Sequence, residues 1–539
     1  MKKAVKVILF ALTALLLFAS PIQQATEFCK VNPLIGASYA KPKPVFTFKN
    51  YRDGSLQRTT EGYLQQHYGF REPLTRFYNQ VVWSLFRYSK VVNDQRILIT
   101  PDNWIFEPWT VEEYYQSRIY LYAKDSADMV KRMEAEAHRI YQLQHMLEPY
   151  GTHLFVALLP GKEQICSDHM PKNTRYFKEK KITAMEYYSR RFKEMGVEHV
   201  NFSDWFLQIK DTVSYPLFPQ TGTHWSNLAS MHVADSLLRY MEQLGDMNLL
   251  NLKIEDTYQR TVKPDNDLEG LMNLIWPLRK APNYLAGYTY PPDSTAVKPK
   301  FITIGDSFYW NLITLSYIGT PFSAYPYWYY FSTTYFNKDK TNVAEIDFLD
   351  EVLSADYIML SYSTSPIYGM SNGFSERLLL ELCYEPEEIN KKLGQVRYAI
   401  QCDSVRMQEI YNHAIPKGRT IEQELTSEVN YTIFSNLEHY FPALCDSIPT
   451  QRSLKARYLT GDSLAFVEWE TRNMIPKIKD KPETMEQLQQ QALDRGVDIE
   501  NLVYYHARWI VEQNIKEGKL VYAGKARTTP KPISYGIQQ

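Results

Sequence analysis

The chain has 539 residues, 44% of them hydrophobic, so it is long enough for two or three units that each bury a core. Its formal net charge is -1 at pH 7, whereas nucleic-acid-binding proteins usually carry a basic excess, so nucleic acid is not expected as a partner. The sequence contains no P-loop, GxGxxG, CxxC or HExxH motif, so neither a cofactor nor a metal is expected. Its five scattered cysteines do not form the pattern of a disulfide framework.

Residues 1–22 have the pattern of an export segment. Three lysines among the first six residues precede a mostly uncharged stretch that runs to Ser20. This pattern indicates a secretory signal peptide or an N-terminal membrane anchor, and both remain open. Either would send the following chain outward, so we expect a periplasmic protein or an anchored one that faces the periplasm. Residues 23–45 are polar and contain prolines, which is typical of a linker.

Strand and helix patterns alternate between residues 46 and 380. Four short segments predict strands, at 152–160, 197–202, 301–304 and 355–363. Amphipathic stretches lie between and before them, the longest over residues 114–147 and another around 174–195, and these predict helices. Alternating strands and helices favour an α/β layered domain with a largely parallel sheet.

Residues 381–539 are charged and glutamine-rich, and they are predicted to be all-helical. Two segments, about 400–433 and 478–511, form an internal repeat in which "MQEIYNHAIPKGRTIEQEL" matches "MEQLQQQALDRGVDIENLV". Each unit has the pattern of a helix, a glycine stop and a second helix, with Thr420 or Asp498 as the N-cap of the second helix. Helix pairs of this kind pack against each other or against a partner, so we expect a packing module without chemistry of its own.

The stretch "FITIGDSF" (301–308) carries the sharpest signal for chemistry. A strand, a tight glycine turn and Ser307 at the start of a predicted helix form an elbow that presents the hydroxyl above the sheet. The N–H groups and the positive dipole end of such a helix can stabilise an oxyanion. Serine is a poor nucleophile until a base removes its proton, and His224 in "TGTHWSNLA" is the candidate base. Because serine often merely caps a helix, neither residue identifies an enzyme by itself.

Five motifs follow one another in a fixed order: "HYGFRE" (67–72), "LPGKEQICSDHMP" (159–171), "THWS" (223–226), "DLEGLMNL" (267–274) and "GDSF" (305–308). With them, residues 46–380 resemble the SGNH-hydrolase-like proteins related to the alginate O-acetylation factors AlgJ and AlgX. His224 precedes Ser307, as in the permuted AlgX-like branch of these proteins, whereas the serine comes first in other SGNH enzymes. The resemblance implies a permuted, flavodoxin-like SGNH fold.

The resemblance also implies an activity, namely O-acetylation or deacetylation of an exported carbohydrate. Ser307 would take the acyl group, His224 would shuttle the proton, and a sugar hydroxyl or water would receive the acyl group. The implied substrate is a surface or secreted polysaccharide or an acetylated sugar. For transfer, the implied partner is a membrane-bound acyltransferase that hands acetyl groups across the membrane. Lys162 matches a lysine of the family, and the resemblance assigns it no role.

One departure from the family concerns the acid that orients the histidine. The family usually has Asp-x-His-Trp, but Gly222 occupies the aspartate position in "GTHW". Removing the acid of a catalytic triad typically costs several orders of magnitude in rate. Asp204 and Asp306 are the candidate replacements. Three alternatives therefore remain open: a Ser–His dyad, a relocated acid, and an inactive member that binds glycans or assists assembly.

Overall fold

The computed structural model describes residues 2–37, 41, 43–94, 96–115, 126–170, 182–263, 265–336, 339–384, 386–414, 419–441, 463–495 and 497–520. Parts of two predicted helices, 114–147 and 174–195, lie outside these ranges. Among the described residues, the helices that these two patterns predicted begin at Ser126 and Ala184.

Helices account for most of the described chain. They are α1 (Lys2–Thr26), α2 (Phe48–Arg52), α3 (Ser55–His67), α4 (Arg71–Phe86), α5 (Lys90–Asn93), α6 (Pro108–Tyr114), α7 (Ser126–Leu147), α8 (Lys162–Ile165), α9 (Ala184–Met195), α10 (Phe202–Ile209), α11 (Asn227–Gly245), α12 (Asp267–Leu271), α13 (Trp310–Thr314), α14 (Phe348–Leu353), α15 (Phe374–Cys383), α16 (Pro386–Cys402), α17 (Ser404–Ala414), α18 (Ile421–Phe434), α19 (Leu437–Tyr440), α20 (Ser463–Lys479), α21 (Pro482–Arg495) and α22 (Ile499–Lys516).

The strands form one central sheet and two small antiparallel pairs. They are β1 (Leu98–Ile99), β2 (Ile105–Phe106), β3 (His153–Leu159), β4 (His199–Asn201), β5 (Lys253–Gln259), β6 (Tyr284–Thr289), β7 (Phe301–Gly305), β8 (Tyr327–Tyr329), β9 (Thr333–Phe336), β10 (Asp339–Asn342) and β11 (Tyr357–Ser363). The central sheet has seven strands in the order β10-β9-β8-β7-β11-β3-β4, and the pairs are β1-β2 and β5-β6.

The central sheet is largely parallel, which confirms the predicted fold class. The four strands predicted from the sequence are β3, β4, β7 and β11, and they lie side by side with parallel pairing. The parallel arrangement extends to β8, and only β9 and β10 run antiparallel at one edge. Helices precede or follow each parallel strand, as an α/β layered domain requires.

The core lies on both faces of this sheet because alternate side chains of a buried strand point to opposite faces. On one face, Val156, Leu158 and the apolar sides of α7 and α9 form a cluster. On the other face, Phe155 and Ala157 pack with α10 and α11. Burial on both faces explains why these strands appear in the sequence as continuous apolar runs.

The register of the sheet brings three strand ends together. β11 pairs with β7 at Ser361 and Gly305, and with β3 at Ser363 and Leu159. The carboxyl ends of β3, β7 and β11 therefore meet at one edge, which is where ligands bind in open α/β sheets.

The C-terminal region is helical, as predicted. Thr420 caps α18 by accepting the Gln423 N–H, and Asp498 caps α22 by accepting the Asn501 N–H, so both predicted N-caps are confirmed. Leu425 and neighbouring apolar residues of α18 belong to the cluster that covers the sheet, whereas α20, α21 and α22 share a small cluster of their own. The two segments of the predicted repeat thus bury their apolar faces in different surroundings.

The N-terminal segment forms α1, whose Ser20 hydroxyl donates to the carbonyl of Gly69 ahead of α4. Within the part of the chain that the structure describes, no helix combines the length and the apolar character that crossing a bilayer requires.

Candidate active site

The serine elbow at the end of β7 is fastened to the neighbouring strand. Asp306 caps the turn, with Oδ1 accepting the Phe308 N–H at 3.0 Å. Its Oδ2 accepts the backbone N–H and the hydroxyl of Ser363, at the end of β11, at 2.7 and 2.5 Å. A Cβ on Gly305 would lie 2.3 Å from the Ser361 carbonyl oxygen, so only glycine allows the two strands to approach this closely. These contacts fix the backbone that carries Ser307.

His224 is held beside this elbow by the start of α11. The Ser226 hydroxyl accepts the Ala229 N–H as the N-cap of this helix, and Trp225 is fully buried. The Trp225 carbonyl accepts from the Asn311 side chain at 3.2 Å, which ties the segment to α13. The Phe308 ring packs against the imidazole in a T-shaped arrangement, with ring centroids 5.0 Å apart.

Ser307, His224 and Asp267 form a continuous chain of hydrogen bonds. His224 Nε2 lies 2.9 Å from Ser307 Oγ, and Nδ1 lies 2.7 Å from Asp267 Oδ2. Since a carboxylate only accepts hydrogen bonds, Nδ1 donates to Asp267, and Nε2 is left to accept from the serine hydroxyl. This is the arrangement of a serine activated by an oriented general base. The His224 side chain is 16% exposed and that of Asp267 is 29% exposed, so the site is open to solvent.

Asp267 was not among the residues predicted from the sequence. It is the first residue of α12, and its Oδ1 accepts the backbone N–H groups of Thr223 and Leu268 at 2.8 and 2.7 Å. Three hydrogen bonds therefore fix the carboxylate. The motif "DLEGLMNL" begins with this aspartate, but the candidate acids were Asp204 and Asp306, and nothing in the sequence linked this motif to the imidazole.

The expectation that Asp204 or Asp306 orients His224 is corrected by these contacts. Asp204 lies in the first turn of α10, where its carboxylate accepts from the Asn201 amide and the Ser189 hydroxyl. Asp306 is fully buried, and its two oxygens are occupied by the elbow and by β11. Burial raises the pKa of Asp306, while the hydrogen bonds from Ser363 and Phe308 act in the opposite direction.

The backbone around Gly222 explains why the acid is not at the position usual for the family. A Cβ at Gly222 would lie 2.9 Å from both the Asp265 carbonyl oxygen and Pro219 Cγ. The 220–224 segment thus packs directly on the segment that leads into Asp267. The same close approach that excludes a side chain at 222 brings Asp267 to the imidazole.

Gly222→Asp restores the usual family pattern. We nevertheless expect it to lower both the folding stability of the protein and the reactivity of Ser307. Gly222→Ala should do the same, because either variant forces a Cβ into a contact that costs about 1–3 kcal/mol of folding stability. Thermal unfolding and the rate at which a sulfonyl fluoride modifies Ser307 would both be measured. Gly394→Ala is the matched control, since a Cβ at Gly394 of α16 meets nothing within 4 Å. A Gly222→Asp variant that is as stable as the wild type and reacts faster would contradict this account of the loop.

The helical segment after Ser307 is too short to stabilise an oxyanion through its dipole. The helix expected after Ser307 is one 3₁₀ turn (Ser307–Tyr309) followed by the five-residue α13, so its dipole is small. The Phe308 and Tyr309 N–H groups are taken by Asp306. Burial raises the pKa of the Tyr330 hydroxyl, while a hydrogen bond from the Ser307 N–H acts in the opposite direction, so this N–H is engaged in the resting site.

Two further charged residues lie behind the triad. Glu107 Oε2 accepts the Thr223 hydroxyl at 2.7 Å, and burial raises the pKa of Glu107. Lys162, the family-matched lysine, is buried at the carboxyl end of β3 and does not contact Ser307 by any hydrogen bond of the described residues. In the described part of the chain, no group of three or more His, Cys, Asp or Glu side chains is arranged to hold a metal ion.

Comparison with known proteins gives a match over the segment that contains these residues. Residues 97–333 match a family model described as "SGNH hydrolase-like domain, acetyltransferase AlgX". No curated protein sequence matches the chain significantly.

Solved structures that resemble the chain share little sequence with it. The O-acetyltransferase domain of Pseudomonas putida AlgJ is 16% identical, with 50% of this chain and 79% of that chain covered and a TM-score of 0.30. Pseudomonas aeruginosa AlgX is 14% identical, with coverage of 50% and 54% and a TM-score of 0.28. Bacillus cereus PatB1 with a sulfonyl adduct is 12% identical, with coverage of 52% and 99% and a TM-score of 0.33.

Proposed function

We propose that this chain is a serine-dependent carbohydrate O-acetyltransferase or O-acetylesterase, since residues 97–333 match the family model of SGNH hydrolase-like AlgX acetyltransferase domains. The observation that carries the proposal is the hydrogen-bonded chain from Asp267 through His224 to Ser307. The acceptor is a sugar hydroxyl for transfer and water for hydrolysis.

The first half-reaction forms an acetyl-enzyme. Ser307 Oγ attacks the acetyl carbonyl carbon of the donor ester while His224 Nε2 takes the serine proton. The attack leaves a negative oxygen on the tetrahedral intermediate, and N–H or O–H donors beside Ser307 must stabilise this charge. The bond between the carbonyl carbon and the leaving oxygen then breaks, and His224 gives its proton to that oxygen. Asp267 holds the imidazole in the tautomer that both steps need.

The second half-reaction returns the enzyme to its starting state. A sugar hydroxyl or water gives its proton to His224 Nε2 and attacks the acetyl carbon on Ser307. The bond from that carbon to Ser307 Oγ breaks, and His224 returns the proton to the serine. Atoms and protons therefore balance over the cycle without a cofactor.

The alternative of an inactive family member is weakened by Asp267. That alternative drew its support from the missing aspartate at position 222, and Asp267 offers a carboxylate 2.7 Å from His224 Nδ1. A glycan-binding or assembly role without chemistry therefore loses its main argument.

The surroundings of the reaction belong to the same proposal. We propose that the chain is exported, either anchored or released in the periplasm, and acts on a surface or secreted polysaccharide. In the transfer direction, a membrane-bound acyltransferase supplies the acetyl groups. Support comes from the basic and apolar N-terminal segment and from the carbohydrate chemistry of the family.

The test is acetyl transfer measured with the full chain. Purified protein is incubated with an aryl acetate, alone and with a panel of polysaccharides, and released acetate and acetylated sugar are quantified separately. We expect aryl acetate to be consumed, and a matching polysaccharide to become acetylated. A protein that binds a polysaccharide of the panel but consumes no aryl acetate would overturn the enzymatic proposal in favour of a binding role.

A further inference from the structure

Lys162 is a buried ammonium whose donors are all directed at backbone carbonyls. It is the first residue of α8, directly after the Pro160–Gly161 turn that ends β3, and its side chain is enclosed. Its Nζ donates to the carbonyl oxygens of Ile105, Gln220 and Gly222 at 2.7, 3.0 and 2.7 Å. An ammonium has three N–H bonds, so every one of them has an acceptor.

The three carbonyls belong to two segments that shape the cleft. Gln220 and Gly222 lie in the loop that leads into His224, and Ile105 precedes Glu107 by two residues. The same loop contacts the segment around Asp267 through the Thr223 N–H and through the Glu269 N–H, which donates to the Thr221 carbonyl at 3.1 Å. Lys162 therefore holds the 220–224 loop through two of its carbonyl oxygens, while the segment around Asp267 holds the same loop through separate hydrogen bonds.

We propose that Lys162 is a positioning residue that holds the 220–224 loop in the one conformation in which the relocated acid, Asp267, meets the imidazole of His224. This inference rests on the proposed function for its catalytic meaning. The geometry that it concerns, the contact between His224 and Asp267, can be measured even if the protein shows no enzymatic activity.

An ammonium is the group that this position requires. An apolar side chain of similar length would leave three buried carbonyls without donors, and each orphaned polar group costs free energy. A guanidinium spreads its donors over a planar fork and cannot direct them from one point to three converging carbonyls. The rings of Trp104 and Phe106 lie 5.3 and 5.1 Å from Nζ, and their faces favour a cation there.

Titratable groups face Lys162, and its hydrogen bonds to the three carbonyls depend on pH. Burial lowers the pKa of Lys162 to about 8, while the Cys166, Asp267, Glu107 and Glu163 side chains act in the opposite direction. Burial raises the pKa of Glu163 to about 7 and that of Cys166 to about 12. Above about pH 8 the amine loses a proton, so one of the three carbonyls loses its donor and the loop is freed.

The experiment follows the His224 ring by NMR in full-length protein labelled with ¹³C and ¹⁵N at histidine, with His224→Gln identifying its signals. The ring shifts report the tautomer directly. We expect the Nδ1–H tautomer in the wild type, in Ser307→Ala and in Lys300→Met, and a mixture of tautomers in Lys162→Met. Lys300→Met is the matched control because Lys300 pairs with Glu351 and Ser354 at the far end of β7. Unchanged His224 shifts in Lys162→Met would overturn the proposal.

Two additional measurements keep the proposal testable if Lys162→Met does not fold. In the folded wild type, the His224 tautomer mixture should appear with a midpoint of about pH 8, and an unchanged tautomer up to pH 10 would contradict the role of the ammonium. Lys162→Arg should show the same mixture at neutral pH. Since Ser307→Ala keeps the tautomer, a protein without activity but with this pattern refutes only the proposed function.

If the protein is active, a double-mutant cycle gives the catalytic test. Lys162→Met should lower the rate constant per titrated active site by about 100-fold, as expected for misplacement of a catalytic group by about 1 Å. Adding it to Asp267→Asn should cause little further loss, because both changes release the same imidazole. Full additivity, or a loss confined to the number of active molecules, would mean that Lys162 only supports the fold.

Discussion

Ser307→Ala is expected to lower kcat for aryl acetate hydrolysis by about 10⁶-fold, to a residual rate that binding and oxyanion donors alone maintain. The physical reason is that the acetyl-enzyme cannot form when the attacking oxygen is absent. The fold should be unaffected, since the Ser307 hydroxyl contacts only His224 among the hydrogen bonds of the described side chains.

The measurement is hydrolysis under saturating aryl acetate, with far-UV circular dichroism to verify folding. Ser404→Ala at the start of α17 is the matched control, because it is an exposed serine outside the site and should keep wild-type activity. A Ser307→Ala variant that hydrolyses the ester at the wild-type rate would exclude Ser307 as the nucleophile.

Asp267→Asn is expected to lower kcat by about 10⁴-fold, the loss seen when a triad aspartate becomes an amide. The amide preserves the shape of the carboxylate but can donate to Nδ1, so it favours the tautomer in which Nε2 carries the proton and cannot accept from Ser307. KM should change little because Asp267 lies behind the histidine and acts on substrate only through it.

Asp204→Asn is the matched control for this substitution. Asp204 is the acid that the sequence favoured equally with Asp306, but in the structure it pairs with Asn201 and Ser189 and should leave kcat unchanged within a factor of about two. Equal losses in Asp204→Asn and Asp267→Asn, or no loss in either, would refute the assignment of Asp267 as the orienting acid.

The central strands could be predicted because burial on both faces leaves an unmistakable pattern. β3, β7 and β11 are short apolar runs bounded by proline, glycine or polar residues, and each is buried along nearly its whole length. β8, β9 and β10 were missed since each has only three or four residues and the last is entirely polar. Strands at that edge depend on pairing with their neighbours more than on their own composition.

The sequence identified the serine and the histidine of the site as candidates, but it did not identify the aspartate. Ser307 and His224 each precede a helical turn, and these local patterns are enough to make them candidates from the amino-acid sequence alone. Asp267 lies 43 residues beyond His224 on a different element, and its approach depends on the contact between Gly222 and the Asp265 carbonyl. A backbone contact of this kind leaves no periodic signal, so the relocated acid emerged only from the fold.

The roles of the remaining predicted residues follow from burial. Lys162 was matched to the family without a function, because its significance lies in three carbonyls from two distant segments. Asp306 was considered as an acid for the imidazole, yet it serves the elbow by joining β7 to β11. The side chains of Lys162 and Asp306 are both buried, and a buried ionisable group needs hydrogen-bond partners.

Trapping the acetyl-enzyme shows whether Ser307 carries the acyl group and whether His224 and Asp267 activate it. The wild type and the His224→Ala, Asp267→Asn and Ser307→Ala variants are mixed with an aryl acetate, quenched in acid, and digested for mass spectrometry. We expect acetyl to appear on Ser307 rapidly in the wild type, far more slowly in the His224 and Asp267 variants, and not at all in Ser307→Ala. Acetylation of another residue, or of Ser307 at equal rates with and without His224, would contradict it.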